Sequence, residues 1–331
     1  MLKKLKLCAL LMTACVSTLA ADFYNSSNGQ WRITGEYLYL MPSVDDTYFV
    51  IDSPITTTFP NGTRENNDFD FHSGYRVGGA YRFDECSCDK EIQFYYSHLG
   101  FSQSRTITGD FLWATVGRAD FASDFENYTG TATSDLHFKY QRYDALYAQQ
   151  VHNNCGLDVC VVFGLEAAQL KLNESYSYLS GTTLGTVDEH SKTNGIGPQF
   201  GLNVGYELYR GSECSCMPGV WSFNVHTSGS LLAARTRTSS TNVLAGATIL
   251  DVSDSHSWRV VPAMHTRVGL NYDMTFGGCW DTSLEIGYEF NSYLRGLART
   301  SYPDDVADGL AFTNYYNYDT QGLYVSASVR F

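Results

Sequence analysis

The stretch Ile196-Gly197-Pro198-Gln199-Phe200-Gly201-Leu202-Asn203-Val204-Gly205-Tyr206-Glu207-Leu208 puts a bulky apolar side chain or proline at every second position, with glycine or a polar group between. A period of two is the signature of a β-strand with one greasy and one wet face. The same alternation sets Trp280, Thr282, Leu284, Ile286, Tyr288 and Phe290 against Asp281, Ser283, Glu285, Gly287, Glu289 and Asn291. It recurs in Tyr75, Val77, Gly79, Tyr81 and Phe83. Followed outward along the chain, the pattern predicts ten strands, at 31–41, 74–83, 91–101, 134–151, 160–172, 195–209, 220–232, 258–275, 280–293 and 321–331. Several match or exceed the ~9–11 residues that a tilted strand needs to cross a bilayer.

The connections alternate in length. Short ones surround residues 84–90, 153–156, 211–219 and 277–279, whereas 42–73, 102–133, 173–194, 233–257 and 294–320 are long. An up-and-down meander gathers the short turns at one end and the long loops at the other, as outer-membrane barrels do. A soluble sandwich would alternate too, but with strands of ~5–6 residues and without loops of this length. The chain then closes on Leu323, Val325, Ala327, Val329 and Phe331, an alternation that stops on an aromatic residue in phase with the greasy face. This ending is similar to the C-terminal strand signal read by the barrel-assembly machinery, with Phe331 as the insertion signal. The expected fold is all-β: a transmembrane antiparallel up-and-down β-barrel of about 10 strands (range 10–14), with short periplasmic turns and long extracellular loops.

Composition agrees. Of the 331 residues 17% are charged and 15% aromatic, the net charge is −13, and 22 basic residues are too few for a phosphate-binding surface to dominate. Nucleic acid is therefore not an expected partner. Lys3, Lys4 and Lys6 precede an apolar run to Val16 and then Ser17-Thr18-Leu19-Ala20, which reads as a secretory signal peptide over 1–20 ahead of a barrel domain over 21–331. Met12-Thr13-Ala14-Cys15 admits a lipoprotein processing site as the alternative. The expected location is the outer membrane of a Gram-negative bacterium, in contact with its lipid.

Trp31 to Leu40, Gly195-Ile196-Gly197-Pro198 leading into Phe200-Gly201-Leu202, Gly229-Ser230-Leu231-Leu232 and Tyr324 to Phe331 resemble the Legionella major outer-membrane-protein family of pore-forming barrels, which has relatives among chlamydia-like bacteria. The resemblance is one of scaffold and carries over no catalytic or ligand residue. It implies a porin-like channel for small hydrophilic solutes or ions. The paired Cys-Ser-Cys turns depart from the Legionella branch and resemble the cysteine-rich envelopes of chlamydial relatives.

Beyond the leader the cysteines are Cys86, Cys88, Cys155, Cys160, Cys214, Cys216 and Cys279, all at short turns or strand ends. Export permits disulfides there. The odd number leaves a thiol for another chain or for none, and alternate residues of an extended strand sit too far apart to bridge each other. Inter-turn bridges, cross-links to other envelope proteins or a second copy, and plain thiols remain open. A thiolate metal site is disfavoured because a rim holds the ligands apart; neither metal nor cofactor is expected.

The inward phase holds Arg32, Glu36, Arg76, Arg82, Gln93, Glu166, Gln199, Glu207, His265, Arg267, Glu285 and Glu289, charges of both signs on a confined wall. Eight strands leave an interior filled by side chains and sixteen an aqueous channel, so ten predicts a narrow pore at most. The long connections hold 19 acidic and 8 basic residues, a solvated acidic surface. Asp68-Phe69-Asp70 and Asp254-Ser255-His256, at the extracellular rim, are of the right types for the water-activating pairs of omptin-like proteases. They are also ordinary in acidic loops. The expectation is a non-enzymatic, porin-like barrel with a structural role through its cysteines; a non-conducting structural or adhesive barrel is the first alternative and the protease the second.

Overall fold

The computed structural model describes residues 30–331 apart from 46, 57, 84–89, 118–120, 122–123, 212–218, 255, 277–279 and 303–310. The leader at 1–20, and with it Cys86, Cys88, Cys214, Cys216 and Cys279, lies outside the described residues. Thirteen strands form one antiparallel sheet. They are β1 (Gln30–Val44), β2 (Tyr48–Asp52), β3 (Thr63–Asn66), β4 (His72–Phe83), β5 (Lys90–Ala114), β6 (Tyr128–Asn154), β7 (Leu157–Ser180), β8 (Thr183–Arg210), β9 (Val220–Leu244), β10 (Ala247–Ser253), β11 (Ser257–Phe276), β12 (Trp280–Ser301) and β13 (Phe312–Arg330).

Ten of them, all but β2, β3 and β10, close into a ring in which β1 pairs with β4 on one side and β13 on the other. Each contains one of the ten segments read from the sequence, except that Phe331 falls just beyond the end of β13. The seam is tied at its end by Trp31 and Phe331, whose backbones exchange two hydrogen bonds of 2.9 Å. A closed ring leaves no unpaired edge, the condition for a sheet to stand in hydrocarbon.

The strands run much further than the alternation alone suggested. β8 has 28 residues, and the connection expected over 173–194 is almost wholly strand, turning at Gly181-Thr182. Gly181, at φ 58, takes the left-handed conformation such a tight hairpin demands. Most of 102–133 and 233–257 is likewise strand, with β10 folding back on β9. At the other end β6 and β7 meet through Cys155 and Gly156, both at positive φ (53 and 80), the conformation of a type I′ turn.

The polarity of the wall inverts along these strands. Toward the short turns the outward residues are apolar: Ile196, Phe200, Leu202, Tyr206 and Leu208 on β8, and Tyr143 on β6. Further up, the outward positions become Gln169 and Lys171 on β7, Lys192 and Asn194 on β8, and Arg235 and Arg237 on β9. On β6 and β7 the inward positions change oppositely, from Arg142, Asp144 and Glu166 below to Leu136, Phe138, Leu170 and Leu172 above, whereas on β8 and β9 they stay polar but buried, as Glu189, Ser191, Thr193, Thr236 and Thr238. The lower part is a membrane barrel, wet inside; the upper part is packed like a soluble protein, dry inside.

Candidate functional site

The lower interior is a vestibule of about 1060 Å³, polar on most sides and lined by Arg32, Glu36, Gln93, Glu207, Arg267 and Glu285 among others. Arg82 occupies the same inward phase of β4. Glu207 stands low on the wall, 2.6 Å from Arg210.

At the roof of this vestibule the charges lock together. Arg76 of β4 reaches Glu36 of β1 at 2.6 Å and Glu289 of β12 at 3.0 Å, and its Nε donates to Ser97 at 2.8 Å. Arg267 of β11 lies 3.2 Å from Glu36 and 3.9 Å from Glu285, with its guanidinium 4.0 Å over the Tyr324 ring. Beside them Arg142 pairs with Asp144 at 2.8 Å, and Glu166 sits 3.0 Å from His265. These strands are not all neighbours, so the contacts run through the lumen. Charges this deeply buried are tolerable because each finds a partner.

Above the ion pairs the lumen is shut. The Tyr293 hydroxyl donates to Glu166 at 2.7 Å and lies 3.1 Å from the Tyr140 hydroxyl. Tyr140 is on β6 and Tyr293 on β12, with four strands between them either way round the ring, so the pair spans the barrel. Phe138 stacks on Tyr318 at 4.4 Å, and Leu38, Leu40, Leu99, Leu136, Leu170, Leu172 and Leu232 complete a buried layer. A bulge in β12 between Tyr293 and Leu297 presses Leu297 into it. Higher still, Arg299 pairs with Glu174 and Glu189, each at 2.6 Å. A second core of Phe49, Val50, Leu112, Phe121, Phe125, Tyr176 and Tyr178 caps the extracellular end. Burial there holds the Tyr176 and Tyr178 phenols well above their ordinary range.

The remaining sequence-read residues fall apart from this centre. Cys155 is exposed at the β6–β7 turn and Cys160 is half-buried; both are free thiols. Asp68 is held 2.8 Å from Arg105 of β5, while Asp254 accepts from Thr238 at 2.5 Å and Thr300 at 2.6 Å, on β9 and β12. The two carboxylates are thus engaged by strands on different sides of the ring. Ser255 lies outside the described residues. Among the described residues no group of three or more His, Cys, Asp or Glu is placed to hold a metal ion.

The sequence reading missed the apolar layer. Its signal was present where alternation fails: Tyr37-Leu38-Tyr39-Leu40 is apolar in both phases, and Gln169 and Lys171 take the phase that Leu165 and Ala167 hold below.

A closed antiparallel ring with an apolar outer band and charged residues within is a transmembrane β-barrel of the outer-membrane type. Residues 25–331 match the family model described as Legionella pneumophila major outer membrane protein precursor, and the chain belongs to that family. It is an outer-membrane protein. No curated protein matches it. Among solved structures it is similar to the outer membrane protease OmpT from Escherichia coli, at 9% identity over 93% of this chain and 97% of that one with a TM-score of 0.40. It is also similar to a ΔS2S3 mutant of the monoaromatic hydrocarbon channel TodX, at 9% identity over 93% and 91% with a TM-score of 0.37.

Proposed function

We propose that the protein is a narrow, porin-like channel of the outer membrane for small hydrophilic solutes or ions, closed in this conformation by a tyrosine gate. One observation carries this reading: the charged vestibule leads inward from the short-turn side and ends at the Tyr140–Tyr293 pair, which spans the lumen. A hydrated ion entering the layer above would leave its water behind with few polar groups to replace it, and such constrictions gate by dewetting. The tight packing of that layer favours a second reading, a permanently closed structural barrel. Neither reading gives the chain a catalytic role, and the separate engagement of Asp68 by Arg105 and of Asp254 by Thr238 and Thr300 speaks against the omptin-like alternative. We assign residues 1–20 to a leader removed on export, Phe331 to recognition by the barrel-assembly machinery, and the periplasmic-side cysteines to disulfide attachment within the envelope.

Planar bilayers separate the readings. The wild-type protein is expected to give brief, discrete conductance steps, and Tyr140→Ala/Tyr293→Ala, which removes the lowest of the closing layers, more frequent ones. Wild-type silence at every voltage with a conducting double variant would favour the structural barrel; silence of both, with folding verified by heat-shifted gel mobility, would overturn the gate.

A further inference from the structure

Above the apolar band, on the outer face of β6 to β9, four basic residues stand in one cross-strand row. Lys139 pairs directly with Lys171, Lys171 with Lys192, and Lys192 with Arg237. All four point outward and are exposed, and none takes part in an ion pair among the described residues. Like charges directly opposite on neighbouring strands are destabilising. In a chain of net charge −13 such a row stands out.

Its surroundings rank by polarity. The outward row two residues lower is Gln141, Gln169, Asn194 and Arg235, continued on β11 by the exposed Trp258. The row below that is Tyr143, Ala167, Ile196, Ala233 and Val260, the upper margin of the apolar band on these strands. The Gln169 amide donates to Asn194 at 2.6 Å, a fixed polar step between grease and charge. Tryptophan beside such a margin marks the interface between hydrocarbon and headgroups. The basic row therefore stands two steps above the apolar band on each of these strands; at about 4.8 Å per strand it extends about 14 Å, crossing the headgroup region obliquely because the strands tilt.

We propose that this row docks the phosphorylated headgroup of an outer-leaflet lipid bearing two phosphates. The lipid's acyl chains lie against Ile196, Ala233 and Val260, its sugar or glycerol core meets the amide row, and its phosphates neutralise the otherwise repelling cations. The site lies on the outside of the wall and is independent of whether the lumen conducts.

The test uses the full-length protein in detergent, with unfolding followed by tryptophan emission while diphosphorylated lipid A is titrated in. At roughly fivefold per lysine near a charged surface, Lys139→Gln/Lys171→Gln/Lys192→Gln is expected to weaken binding about a hundredfold. The single variant Lys171→Gln should show the fivefold loss if the triple variant fails to fold, and Arg64→Gln should leave affinity unchanged. Equal affinity of wild type and variants overturns the site. Stabilisation by inorganic phosphate alone, or by a sulfated polysaccharide but not by lipid A, overturns the lipid as its occupant.

Discussion

Replacing Arg76 with methionine keeps most of its length and removes its charge. In the structure that charge is shared by Glu36 and Glu289, whose side chains are 3% and 0% exposed, with Arg76 itself at 6%. Removing one partner of a buried pair costs about 3–5 kcal/mol, because it strands the opposite charge away from water. Arg267 remains 3.2 Å from Glu36 and 3.8 Å from Glu289, so part of the charge stays compensated. The expected loss is about 3 kcal/mol, more than a hundredfold in the folding equilibrium. Urea unfolding in lipid vesicles, followed by tryptophan emission, measures it. Arg76→Met/Glu289→Gln, which removes a stranded carboxylate as well, should recover more than half of the loss. An Arg76→Met midpoint equal to wild type would refute the buried network.

Three further outcomes follow from other parts of the wall. In a variant whose only cysteine is Cys155, exposed at the short β6–β7 turn, the reduced thiol should react with a membrane-impermeant maleimide only after the outer membrane is permeabilised; labelling of intact cells would invert the topology. Tyr178→Phe removes the 2.7 Å bond to the Phe49 carbonyl and should destabilise the extracellular lobe by about 1–2 kcal/mol, read by protease sensitivity. Because the folded Tyr178 phenol titrates above its ordinary value of 10.0, its contribution is complete below pH 10 and is lost as pH climbs toward the folded value. Removing Phe331, whose backbone closes the seam with Trp31, should reduce assembled protein in the outer membrane; unchanged amounts of heat-shifted barrel would refute its role.

The ring was legible in the sequence because hydrocarbon imposes alternation: Ile196 to Leu208 face lipid, and the residues between face the lumen. Strand extension was less legible. Above the membrane both faces of Asn173 to Asn194 carry polar residues, and nothing in that composition separates a loop from a strand whose outer face is wet. The lumen was read in half. Arg32, Glu36, Arg76 and Glu166 show themselves as charges in an inward phase, but Tyr140, Tyr293 and Tyr318 are tyrosines in a tyrosine-rich chain. Only the closure of the ring, which sets β6 across the lumen from β12, brings the first two together, a relation of residues 153 positions apart. The bulge that delivers Leu297 has no period to betray it.

Closure of the lumen is tested most directly by water access along the inward phase. Thr34→Cys, Leu146→Cys and Ser228→Cys face the vestibule, whereas Leu136→Cys and Leu172→Cys face the apolar layers above it. In a background lacking the native cysteines, a small charged thiol reagent applied from the periplasmic side should modify the first three rapidly and the last two from neither side. Uninterrupted reactivity from Ser228 through Leu136 and Leu172 would mean an open, water-filled pore and would contradict the gate.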